Sequence, residues 1–346
     1  MSTAPQPNPL AYLMPGWFSI VMGLAGLALA WHQAARRMGP VAEGVSMALG
    51  AFAGLVFAAL LVLSLWRWHR HPQAVREDLH HPVRHAFWAA VPISLLLLVT
   101  AWVAHRGPST VALVLWALGS AAQLGVTLWV ITRWWRGHLP GGLVWAGITP
   151  ALFIPIVGNV LVPLAGVPLG QAHWSAAQFG IGLIFWPVVL VLIMVRKATA
   201  GLWPERLMPT AFIHTAPPAV MGLALMQMGA PVLIGWGAWG MALVFAWWAG
   251  TQWRRIVALP FGVTHWALSF PLAAFTALTW TLADTPLVQV LAVALLAVVS
   301  LVVLGLLRGT WQGLRRGTLL VAEGPAAAGP PTPPPGKATP TEGQSP

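Results

Sequence analysis

The chain has 346 residues, of which 58% are hydrophobic and 7% charged, with a net charge of +11 and no cysteine. A soluble domain carries roughly 25% charged residues, so the composition excludes an ordinary soluble fold and points to a polytopic membrane protein. The missing cysteines exclude disulfides, thiolate chemistry and cysteine metal sites, and the scattered basic clusters are a membrane-orientation pattern rather than a nucleic-acid patch.

The first apolar run covers residues 12–34. No basic stretch precedes it and it already has the length of a crossing, so "ALA" at Ala28 to Ala30 reads as part of a span, not as a signal-peptide cleavage site. Further runs of about 20 residues follow at 44–66, 86–105, 110–132, 143–163, 175–195, 209–229, 231–252, 264–283 and 287–307. The expected organisation is a short N-terminal segment (1–11), a ten-span domain (12–307) and a tail (308–346). The tail is first basic and then Pro-rich, "EGPAAAGPPTPPPGKATPTEGQSP", a composition that buries no core and is expected to be disordered.

Fifteen of the 18 Lys and Arg residues fall in the tail and in the links after the second, fourth, sixth and eighth spans. Only Arg36, Arg37 and Arg106 lie on the other side. The positive-inside rule then places both termini in the cytoplasm and the chain in the plasma (inner) membrane. Trp66, Trp68, Trp134, Trp135, Trp247 and Trp248 sit near span ends, as an interfacial belt requires.

The odd-numbered spans share a pattern. Phe87 stands five residues before Pro92, Trp145 before Pro150, Phe212 before Pro217 and Trp266 before Pro271, while Phe18 stands five before Gly23. The spacing between copies equals one membrane hairpin. Proline removes a backbone donor, and in a membrane such a break is tolerated only where protein or water satisfies the freed groups. The reading is an all-α membrane protein: ten transmembrane helices as five hairpins around one axis, with the odd, proline-kinked helices inside. Pro187, in the sixth span, departs from the pattern.

The segments "GWFSIVMGLAGLALAW", "EDLHHPVRHAFWAAVPIS", "TPALFIPIVGNVLVPLAG", "PERLMPTAFIHTAPPAV" and "HWALSFPLAAF" occur in this order between residues 12 and 307. In combination they resemble the tellurite-resistance/dicarboxylate transporter family, which includes bacterial tellurite-resistance-type anion channels and plant guard-cell slow anion channels. The resemblance implies the five-hairpin fold, a pore of odd helices, a homotrimer, and an aromatic ring on the ninth span that blocks the pore. In this sequence that ring is Phe270.

The spans hold almost no ionisable side chain, so they offer neither a carboxylate relay nor an arginine that would grip an anion. The pore-lining candidates are Phe18, Ser19, Ser94, Thr149, Asn159, Thr215 and Ser269, with Pro92, Pro150, Pro217 and Pro271 as helix breaks. A helix restarting after proline would aim orphaned N–H groups and about half a positive charge at the pore. Each hydroxyl also has a competing partner in a carbonyl of its own helix. His214 and His265 are the groups able to titrate near neutral pH. His69, His71, His80, His81 and His85 share one link, read as a solvated basic loop beside anionic headgroups rather than a metal site. The function expected is a passive channel for small inorganic or carboxylate anions in the lipid bilayer. The alternative is a proton-coupled carrier of C4-dicarboxylate, sulfite or tellurite-related anions, with His214 or His265 as the proton site. No enzymatic constellation, cofactor site, metal site or nucleic-acid partner is expected.

Overall fold

The computed structural model describes residues 8–137 and 142–321. Residues 1–7 of the short N-terminal segment and most of the Pro-rich tail expected to be disordered lie outside the described residues. Among the described residues every regular element is helical. The α-helices are α1 (Ser19–Met38), α2 (Pro40–Arg70), α3 (Pro72–His80), α4 (Ala90–Arg106), α5 (Thr110–Trp134) and α6 (Phe153–Gly166), then α7 (Ala172–Ala200), α8 (Ala216–Gln227), α9 (Val232–Gly250), α10 (Trp253–Ala258), α11 (Ser269–Thr281) and α12 (Pro286–Arg315).

Seven of the described helical stretches are long and apolar enough to cross a membrane, and a shorter apolar stretch covers Pro150–Gly166. The difference from the ten expected spans has a physical cause. The α-helical parts α6, α8 and α11 have only 14, 12 and 13 residues. At 1.5 Å per residue these reach about 18–21 Å, less than the roughly 30 Å hydrocarbon core. The remaining length comes from 3-10 turns ahead of them.

Burial divides the helices into two sets. The stretch Pro15–Met38 is 67% buried and Arg84–Arg106 is 61% buried, whereas Pro40–Arg70 is 11% buried. In α6 nearly every residue is buried. The buried helices close into a ring, α1 against α4, α4 against α6, α6 against α8, α8 against α11 and α11 against α1. Each has an outer partner next in the chain: α2, α5, α7, α9 and α12 respectively. The outer helices bury one face against the ring and expose leucine, valine and tryptophan on the rest, as a lipid-facing surface does.

The turn between the first two helices shows how the chain reverses. Gly39 takes φ +73°, a conformation open to glycine, and its N–H bonds the Ala35 carbonyl. Pro40 then opens α2, where a missing donor costs nothing. The histidine-rich link is not the solvated loop expected. α3 folds there, and Asp78, about 1% exposed, lies 2.7 Å from Arg67 Nη1 and 2.9 Å from Arg84 Nη1. The acid supplies a buried counter-charge that the count of basic residues did not consider. Arg67 Nε also donates to the Ala11 carbonyl (3.1 Å), tying the N-terminal segment down. Pro187 lies inside α7, an outer helix.

Candidate functional site

Each buried helix is entered through a 3-10 turn: Pro15–Phe18 before α1, Arg84–Ala89 before α4, Pro150–Leu152 before α6, Glu205–Thr215 before α8 and Val263–Leu268 before α11. These turns continue the hydrogen-bond ladder. The Ser19 N–H donates to the carbonyls of Gly16 and Trp17, and the Ala90 N–H to those of Phe87 and Trp88. Phe153, Ala216 and Ser269 bond back in the same way, to Pro150 and Ala151, to Ile213 and to Trp266. The helix starts are therefore capped by the preceding turn, not left as orphaned donors aimed at a lumen.

Pro92 and Pro271 occupy equivalent places, the third residue of α4 and of α11. The residues in that place in α6 and α8 are Pro155 and Pro218, and in α1 it is Val21. Pro150 instead opens the 3-10 turn and Pro217 is the second residue of α8. Proline's fixed φ suits the first α-turn, and its ring marks the change from 3-10 to α winding at the cost of one N–H donor. Gly23 serves a different purpose: a Cβ at this position would overlap Ser269 Oγ and lie 2.7 Å from Ser269 Cβ. The glycine lets α1 and α11 touch.

Inside the ring is a cavity of about 40 Å³. All five buried segments contribute to it, among them Ser19 and Met22 of α1, Ile93 of α4, Val157 of α6, Ala216 of α8 and Phe270 of α11. Apart from Ser19 the lining is apolar, and at roughly 30 Å³ per water there is room for about one molecule. Phe270 is 6% exposed. Its ring lies over Gly26, where an added Cβ would stand 3.1 Å from Phe270 Cδ2.

A second space of about 440 Å³ opens at the C-terminal ends of the same helices, lined by Leu29, Thr100, Leu164, Leu223 and Ala277. On every one of the five helices the step from cavity to vestibule is the same: Met22 to Leu29, Ile93 to Thr100, Val157 to Leu164, Ala216 to Leu223 and Phe270 to Ala277. That is two helical turns, or about 10 Å. On the other side a vestibule of about 230 Å³ shares Ser19, Phe87 and Ala267 with the cavity. Its basic residues are Arg84, Arg206 and His81, and those of the far vestibule are His32 and Arg36. Among the described residues no carboxylate is in either lining, while just behind it Asp78 lies 2.9 Å from Arg84 and Glu43 lies 3.4 Å from His32. These arginines entered the sequence reading only as topology markers, because nothing in their spacing says that they converge on the axis.

The other expected lining residues lie elsewhere. The Phe18 ring packs edge-on against Phe57 of α2 (5.7 Å). Ser94 Oγ donates to the carbonyls of Ala90 (2.7 Å) and Phe18 (3.2 Å), between α1 and α4. Asn159 is turned toward α5: its Nδ2 donates to Thr127 Oγ1 (2.8 Å) and to the Pro155 carbonyl (2.9 Å). Ser19 and Ser269 Oγ each donate their one proton to a carbonyl three residues back, both at 2.6 Å. Thr149 and Thr215 keep buried hydroxyls without a hydrogen-bond partner, but neither lines the cavity.

His214 is fully buried in an aromatic cage, with ring centroids of Phe153 and Trp248 at 5.0 Å and Phe245 at 5.8 Å. Its Nδ1 lies 2.9 Å from the Ala211 carbonyl. The Nδ1 of His265 lies 3.1 Å from the Gly262 carbonyl and 3.2 Å from the Gly262 nitrogen, closing the turn that begins the last inner segment. Neither ring lines the central cavity.

Residues 12–311 match the family described as SLAC1, voltage-dependent anion channel. The chain belongs to this family. SLAC1-family similarity extends across kingdoms. The tellurite resistance protein TehA homolog of Haemophilus influenzae is 26% identical over 283 residues, 79% of this chain and 80% of that protein. The S-type anion channel SLAH2 of Arabidopsis thaliana is 25% identical over 272 residues, 77% of this chain and 52% of the plant protein. The sulfite efflux pump SSU1 of Trichophyton rubrum is 23% identical over 305 residues, 77% of this chain and 80% of the fungal protein. For this SLAC1-family chain the multi-pass membrane setting and small anions as the transported class follow from that membership together with its membrane-competent helices.

Proposed function

We propose that the protein is a passive anion channel of the plasma membrane whose path is closed at Phe270. The observation that carries this reading is the sequence of spaces along one axis. An apolar cavity of about 40 Å³ bounded by Phe270 lies between two vestibules with arginine and histidine in their linings. Basic side chains at the two mouths raise the local anion concentration, with Arg84 already balanced by Asp78. An apolar constriction without strong binding groups gates by excluding water and, once open, lets ions leave as readily as they enter. In this reading the five inner segments and their outer partners are ten spans in five hairpins, with both termini in the cytoplasm and three copies in the assembly.

The efflux-pump name of the fungal relative favours a second reading, a proton-coupled carrier. Such a carrier needs a titrating group at the constriction, and among the described residues none lines the central cavity. His214 is caged by aromatic rings and His265 is held in a turn, which supports the passive reading.

Reconstitution separates the two. Phe270→Ala is expected to raise anion current by on the order of tenfold or more, since lowering a barrier by about 1.4 kcal/mol already does so. Phe270→Leu should fall between. No proton movement should accompany the current. A folded Phe270→Ala protein with unchanged current would overturn the gate, and anion-coupled proton flux would favour the carrier.

A further inference from the structure

We propose that His32, Glu43 and His105 form a binding site for a divalent first-row transition-metal ion, zinc in type, at the rim of the far vestibule. The three residues are distant in sequence and come from the end of α1, the start of α2 and the end of α4. Their ligand atoms all lie within 4.8 Å of one another. His32 Nδ1 is 3.4 Å from Glu43 Oε2, and His105 Nδ1 is 2.6 Å from Glu43 Oε1. The two imidazoles stand edge to face, with centroids 4.7 Å apart. Zinc holds nitrogen and carboxylate oxygen at about 2.0–2.2 Å in tetrahedral geometry, which sets neighbouring ligand atoms about 3.3 Å apart. The His32 pair already has that spacing. The His105 contact is to the other carboxylate oxygen and is about 0.7 Å shorter than that spacing, so one ion joins both rings once the Glu43 carboxylate turns to present a single oxygen between them.

The hydrogen bonds around His105 make the stronger case. Ser46 Oγ has one proton, and it goes to the Ala28 carbonyl at 2.6 Å. His105 Nε2, 2.9 Å from the same oxygen, must therefore be the donor of that contact. With Nε2 carrying a proton, Nδ1 meets the Glu43 carboxylate either through a second ring proton, as an ion pair, or through a metal ion that displaces that proton and takes both groups as ligands. A ligating histidine normally has its other ring nitrogen fixed by such an outer partner, which sets the tautomer. Ser46, fully buried, supplies it here. Two imidazoles and one carboxylate suit zinc, cobalt, nickel or copper and not magnesium or calcium, which prefer all-oxygen sites.

Three protein ligands leave a fourth position open toward the space that His32 lines with Gln33 and Arg36. The ion would join the first hairpin to α4 and change the local charge from that of one carboxylate to a net positive one. The effect on conduction rests on the channel reading, whereas binding does not.

The test uses full-length, tag-free, metal-stripped protein in detergent, titrated with Co²⁺ and then with Zn²⁺. One Co²⁺ per chain should bind, with the strong visible absorption of a four-coordinate ion, and Zn²⁺ should displace it. His32→Gln, Glu43→Gln and His105→Gln should each abolish stoichiometric binding. Ser46→Ala should weaken it about 10–100-fold, as loss of an outer partner does. The double substitution His80→Gln with His81→Gln, in the distant histidine-rich link, should leave it unchanged. Wild-type protein that binds no stoichiometric metal overturns the site, whether or not the variants fold. So does binding that survives the three ligand substitutions, or that disappears with His80 and His81.

Discussion

At the scale of single residues, the site is decided by which way each side chain is turned. Ser19 and Phe270 face the central cavity, while Ser94 and Asn159 turn into contacts with neighbouring helices. Membership of an odd span was legible in the sequence, but rotation about the helix axis was not. A shift of one residue turns a side chain by about 100°, and no polar pattern in these apolar runs fixes that angle. Gly23 gives a test at this scale. In membranes small residues let helices approach closely, and a Cβ here meets Ser269 Cβ at 2.7 Å. Gly23→Ala should therefore cost about 1–3 kcal/mol, as overpacking does, and lower the detergent melting temperature. Ser269→Gly in the same chain should restore part of the loss. Additive effects of the two substitutions would contradict close packing at this point.

At the scale of elements, the aromatic–proline pattern pointed to the right helices but to two different prolines. Pro92 and Pro271 are each the third residue of their helix, whereas Pro155 and Pro218 hold that place where the pattern selects Pro150 and Pro217. The sequence offers three prolines in each of those spans, and only the backbone shows which stands in the first α-turn. The distinction between helix starts and helix interiors gives the next expectation. Pro187 interrupts the interior of α7, so Pro187→Ala restores a ladder bond and should raise thermal stability by up to about 3 kcal/mol with conduction unchanged. Pro271→Ala supplies an N–H within reach of the Ala267 carbonyl and favours α over 3-10 winding ahead of Phe270. It should alter conduction in planar-bilayer recordings much more than stability. Equal conduction effects at both sites would show that the two positions are not distinct in kind.

At the scale of the whole molecule, composition alone gave the membrane class, and the order of motifs gave the family. What it did not give was the convergence of Arg84, Arg206 and Arg36 on the two mouths, nor the meeting of His32, Glu43 and His105. Both are contacts between residues far apart in the chain, and a charge count along the sequence carries no such information. The orientation remains checkable by C-terminal fusion: with fifteen of 18 basic residues on one side, only a cytoplasmic reporter should be active. Deleting residues from Gly324 onward should leave expression and assembly intact, because that Pro-rich stretch has no apolar surface to bury. A deletion from Thr318 should not be silent. The Thr318 N–H bonds the Gly313 carbonyl at 2.9 Å, and Leu319 lines the near vestibule.

The 3-10 turns ahead of the buried helices carry a mechanical consequence. A 3-10 residue advances the chain by about 2.0 Å and 120°, an α residue by about 1.5 Å and 100°. Each residue of Val263–Leu268 that rewinds from one form to the other therefore rotates α11 by about 20° and draws it along its axis by about 0.5 Å. Two residues swing Phe270 through about 40° around the cavity wall while Ser269 slides past Gly23. The aromatic ring is thus mounted on the end of a screw thread, and in the proposed channel a small change of pitch, without any bend, would carry it out of line.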